Sequence, residues 1–67
     1  MRVNKKSLAV AMLQAGVLSQ KQLANLATLN VNTISTIMRG APAKIATVGR
    51  IAKALGVDPA ELIEDKE

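Results

Sequence analysis

Any chemistry in this chain is done without histidine, cysteine, tyrosine or tryptophan. Ser7, Ser19 and Ser35 have no base to activate them, and all five carboxylates fall within the last ten residues. Nucleophile–base pairs and metal clusters therefore lack their parts, so no catalytic residue, metal site or cofactor is expected. Hydrogen bonding and charge remain. Asn30, Asn32, Thr33, Ser35 and Thr36 crowd into seven consecutive positions. An Asn side chain can grip adenine through a paired donor and acceptor, and a Thr hydroxyl can meet either kind of base edge. That crowding suits readout of a polar surface.

Charge placement points the same way. Residues 1–57 carry eight Lys/Arg and no Asp or Glu, whereas the last ten residues carry five acids and Lys66 alone, for a net charge of +4. So long a stretch without a carboxylate fits an anionic partner, nucleic acid foremost.

The elements that must hold these residues follow from caps and periodicity. Asn4 caps a first helix over Lys5–Ala15, with Leu8, Ala9, Met12 and Leu13 at helical spacing and Gly16 as the stop. Ser19 and Gln22 form a capping box for a second helix, about Gln20–Ala27. Thr28-Leu29-Asn30 breaks it, and Asn30 caps a third helix, about Val31–Arg39, stopped at Gly40. A fourth, about Ile45–Leu55, aligns Ile45, Val48, Ile51, Ala52 and Leu55 in one stripe, although Lys44 caps it poorly and Gly49 costs it ~1 kcal/mol relative to Ala. Asp58-Pro59-Ala60-Glu61 starts a fifth helix, predicted over Pro59–Ile63. No strand pattern or internal repeat is present.

Two short helices joined by a three-residue turn, the second capped and polar at its start, are the layout of a DNA-reading unit. The packing positions agree. Leu23 and Ala27 fall on the inner side of helix 2, Leu29 closes the turn, Ile34 and Ile37 face inward, and small Ala24 lets the helices cross closely.

The stretch Leu18–Gly40, LSQKQLANLATLNVNTISTIMRG, resembles the Cro/repressor (Xre) helix-turn-helix family. Leu18, Ser19, Gln20, Leu23, Ala24, Thr33, Ile34, Ser35, Ile37 and Gly40 match its pattern without a gap. Downstream, Ile45–Ile63 is similar to the family's closing helices, so the resemblance covers about residues 5–63. It implies an all-α, compact five-helix, lambda-repressor-like domain over residues 1–63, with the reading motif in helices 2 and 3. Residues 64–67 follow as an acidic tail. Two departures matter. Thr28 stands where the family's turn usually has Gly, a position that suits a β-branched residue poorly. Met38, with Met12 or Leu13, replaces an ion pair common in the family; apolar packing in place of a buried pair is often neutral or stabilising.

By position, Val31, Asn32, Thr33 and Thr36 are the expected base-reading residues, with Val31 toward a thymine methyl. Gln20 takes a phosphate-binding role from the family motif, and Asn30, cap first, reaches a phosphate as well. Lys21, Arg39 and Lys44 flank the reading helix as further phosphate ligands. Arg50 and Lys53 are expected away from DNA, and Arg2, Lys5 and Lys6 are candidates for an N-terminal arm. The expected function is a sequence-specific, Cro-like regulator, a repressor of phage or mobile-element type, acting on a palindromic operator in double-stranded DNA. A homodimer, with Val57, Leu62 and Ile63 as a weak contact, is expected at least on DNA. The alternative is an interaction module of antitoxin or co-activator type on the same fold; the short polar side chains of helix 3 favour DNA. No apolar run approaches the ~20 residues of a membrane span, and Leu8–Leu13 is too short for a signal h-region. A cytoplasmic, nucleoid-associated setting with no small-molecule effector is expected.

Overall fold

The computed structural model describes residues 2–64. The helices are α1 (Lys5–Ala15), α2 (Gln20–Ala27), α3 (Val31–Met38) and α4 (Ile45–Leu55), followed by one 3-10 turn at Pro59–Glu61. Asn4, Ser19 and Asn30 cap the first three, each side chain accepting from a backbone N–H of its helix's first turn. Ser19 Oγ accepts from Gln22 N at 3.1 Å, but the return half of the capping box is displaced by one residue. Gln22 Oε1 accepts from Leu18 N at 2.8 Å, not from Ser19.

The helices close in a common way, a residue beyond the end donating back to the fifth residue before it. In α1, α2 and α4 the donor is the second residue past the end, Val17 to Met12 at 2.8 Å, Leu29 to Ala24 at 2.8 Å and Val57 to Ala52 at 3.0 Å; in α3 it is the third, Ala41 to Thr36 at 3.3 Å. This closure requires a left-handed residue between. Gly16, Gly40 and Gly56 supply it at three ends; Thr28, φ 58°, supplies it at the fourth and is the one non-glycine with positive φ among the described residues.

The fifth helix of the sequence reading is instead that single 3-10 turn. Asp58 caps it, Glu61 N and Leu62 N bond three residues back, and the backbone then finds other partners. Asn4 N donates to the Leu62 carbonyl at 2.6 Å and Glu64 N to the Arg2 carbonyl at 2.9 Å, around an antiparallel Val3–Ile63 bridge. This extended pairing of the two ends, absent from the sequence reading, ends the helix. It also ties the Arg2 backbone to Glu64, so Arg2 is not part of a free arm.

Among the described residues the core is wholly apolar and draws on all four helices and the segment after the 3-10 turn: Leu8 from α1, Leu23 from α2, Ile34 from α3, Val48 and Ile51 from α4, and Leu62. α2 packs against both α3 and α4. Three sequence expectations are corrected here. Ile45 is 75% exposed, because the chain enters α4 from the Gly40–Lys44 loop with its first turn outside the packed stripe. Of the stripe expected on α1, Leu8 and Met12 face the core with Ala11 between them, while Ala9 is exposed and Leu13 is 69% exposed. Leu62, expected as a dimer contact, is 1% exposed and belongs to its own domain's core.

Candidate nucleic-acid interface

α3 is fixed by its inner face and displays its outer one. Ile34 and Ile37 are buried, and at 3.6 residues per turn the opposite side carries Val31, Asn32, Ser35, Thr36 and Arg39. Val31, Asn32, Thr36 and Arg39 are exposed. Val31 is 42% exposed, so its side chain is not consumed by first-turn packing. Ser35 is half-buried at the edge of the face, and Thr33 lies further round. With Thr36, Ile37, Lys44 and Thr47, Thr33 lines a cleft beside the helix.

Backbone chemistry at the start of α3 leaves the Asn32 side chain free for another partner. Asn30 Oδ1 accepts from Asn32 N at 2.7 Å, which spends Asn30's oxygen on capping and satisfies an orphan helix donor. Thr36 Oγ1 donates to the Asn32 carbonyl at 2.8 Å, so the Thr36 hydroxyl faces outward chiefly as an acceptor.

The flanking groups are placed by helix ends. Gln20 is the first residue of α2 and half-buried; Lys21 follows it, exposed. Arg39 closes α3, and Lys44 precedes α4 with no side-chain cap bond. No acidic residue stands in the first turn of any of the four α-helices, so the positive ends of their dipoles are uncompensated. Among the described residues, every carboxylate lies at Asp58, Glu61 or Glu64, outside the reading motif. Each of these features by itself favours an anion nearby.

A model of the Cro/C1-type HTH DNA-binding domain matches residues 7–67. The chain belongs to this family. No curated protein and no solved structure matches it. As a Cro/C1-type domain it is a DNA-binding module, and α2 and α3, packed against each other across a short turn, have the layout of a helix-turn-helix.

Two features of the Cro/C1-type domain escaped the sequence reading. Thr47, half-buried in the cleft next to Lys44, was not singled out; its place three residues after the Lys44 cap was the available signal. Arg50 was assigned no partner, yet its Nη1 donates to the Thr28 carbonyl at 3.4 Å across 22 residues of sequence. Sequence periodicity carries no information about such a contact. Among the described residues, no group of three metal-ligating side chains comes together, and no helix is long and apolar enough to cross a membrane.

Proposed function

We infer that this protein is a sequence-specific transcriptional regulator of Cro-like type, a repressor that reads a palindromic operator through the major groove. The observation that carries this reading is the outer face of α3. It is short, polar, exposed and uncommitted at Asn32, and it stands at the capped start of the second helix of a Cro/C1-type motif. In this reading Val31, Asn32, Thr33 and Thr36 meet base edges, with Thr33 at the margin. Gln20, Lys21, Asn30, Arg39 and Lys44 hold phosphates, Asn30 through what its capping role leaves over. The whole of residues 1–63 acts as one DNA-binding unit, paired with a second copy on two half-sites about one helical turn apart.

Amide chemical-shift mapping on a duplex carrying the bound sequence tests this. Shifts concentrated on residues 19–21, 30–39 and 44–47 support the reading. Shifts concentrated on α1 with α3 silent would transfer the function to protein binding.

A further inference from the structure

The helix itself fixes the hydrogen-bonding sense of the Thr36 hydroxyl. Oγ1 donates to the Asn32 carbonyl at 2.8 Å, the usual length for a bond between oxygens. A carbonyl has no proton to give, so the single proton of the hydroxyl lies in that bond. What Thr36, an exposed residue, turns outward is lone pairs. The bond also limits where they point, because a Thr side chain in a helix is stiff about its first torsion. Asn32, one turn earlier on the same face, is in the opposite situation. Its backbone N–H donates to Asn30 and its carbonyl accepts from Thr36, while its side-chain amide keeps donor and acceptor together. The two residues therefore make different demands on a base edge.

We propose that Thr36 selects an exocyclic amino group: it meets its base pair through adenine N6 or cytosine N4, and not through guanine O6 or thymine O4. In the major groove the first two are donors and the last two acceptors. An amino N–H meets a lone pair of Oγ1, whereas a keto oxygen sets its own lone pair against it. To donate to a keto oxygen, the hydroxyl would have to release the Asn32 carbonyl. Each base pair carries one amino and one keto group in this groove, on opposite strands. The choice therefore fixes which way round the pair lies, with its amino base on the strand nearer Thr36. A Thr hydroxyl in general meets either kind of edge; the 2.8 Å bond removes one of them here. Thr36 lies four residues beyond Asn32, roughly 6 Å along the helix axis, so the base it meets is a neighbour of the one met by Asn32. The proposal rests on the base-reading role of α3 given above and narrows it.

The test uses the full chain and the duplex enriched from a random library. Each half-site position is changed in turn to the other three base pairs, and Kd is measured for the wild type, Thr36→Val and Thr36→Ser. Val keeps the shape and the methyl group without the oxygen; Ser keeps the oxygen and its return bond. Thr36 is exposed, so circular dichroism is expected to show both variants folded. Thr36→Val is expected to level the preference at one half-site position, and Thr36→Ser to retain it. At that position the amino-bearing base is then replaced by its analogue without the amino group, and separately its partner by an analogue without the keto oxygen. Loss of the amino group is expected to weaken the wild type about three- to tenfold and to leave Thr36→Val unchanged. Loss of the keto oxygen leaves both unchanged. The proposal is overturned if Thr36→Val levels no position, if the amino-free duplex binds the wild type undiminished, or if the keto oxygen is the group whose loss is felt. In each of those cases an enriched sequence that Asn32→Ala relaxes keeps the reading of α3 intact. A library from which no sequence is enriched removes that reading, and this proposal with it.

Discussion

The Arg50 guanidinium donates to the carbonyl of Thr28, tying the fourth helix to the turn of the reading motif at its one strained residue. Thr28 occupies a left-handed position that Gly16, Gly40 and Gly56 fill at the other three helix ends. A Cβ at any of those glycines would meet nothing within 4 Å, so they are there for backbone conformation and not for space.

Thr28→Gly is therefore expected to raise stability by about 1 kcal/mol, a shift of roughly 4–8 °C in Tm for a domain of this size. Thermal denaturation followed by circular dichroism reads it. An unchanged or lower Tm would mean that Thr28 is held there by contacts worth more than the strain.

Gly49 sits inside α4 with ordinary backbone angles and open space around its Cβ direction, so Gly49→Ala is expected to stabilise by about 1 kcal/mol. Gly16→Ala is expected to destabilise instead, because its φ of 76° strains any side chain. Opposite signs for the two substitutions in the same melting assay check the distinction between a helix interior and a helix end.

Leu62 closes the core from beyond the 3-10 turn, and Leu62→Ala is expected to cost ~2–5 kcal/mol. A small single-core domain holds little more than that in total, so the variant should be largely unfolded at 37 °C. Urea denaturation measures the loss; a change below about 0.5 kcal/mol would contradict the packing described.

Much of the fold was legible because most helix ends carry a local signal. Asn4, Ser19 and Asn30 begin α1, α2 and α3 as their side-chain oxygens require, and Gly16, Gly40 and Gly56 close α1, α3 and α4; the start of α4 at Lys44 and the end of α2 at Thr28 carry none. The α3 face was legible for a related reason: Ile34 and Ile37 can point only inward in an amphipathic turn, which sends Asn32 and Thr36 out. The failures have a common cause. Pairing of Leu62 and Glu64 with Asn4 and Arg2, and the Arg50 bond to Thr28, join residues far apart in sequence, where local pattern is silent. Leu13 and Ile45 misled because an apolar residue at helical spacing reads as core even when its face has no neighbour within the chain.

Asn32→Ala should leave stability nearly unchanged, since only its backbone takes part in the helix-start bonding. It should lose ~1–3 kcal/mol of discrimination at one base pair while non-specific binding persists. Competition titrations over a set of single-base operator variants read this out. Arg39→Ala and Lys44→Ala should instead weaken binding to all sequences and lower the salt slope by about one ion each. Arg50→Ala, on the far side of the turn, should leave that slope alone.

The central claim is that α3 reads a specific sequence as one of a pair. Selection from a random duplex library at about 0.15 M salt tests it most directly. Enrichment of a palindrome with half-sites about one helical turn apart is the expected result. Weak, steeply salt-dependent binding with no enriched sequence would contradict it and leave a cationic helical domain whose specific partner is not DNA.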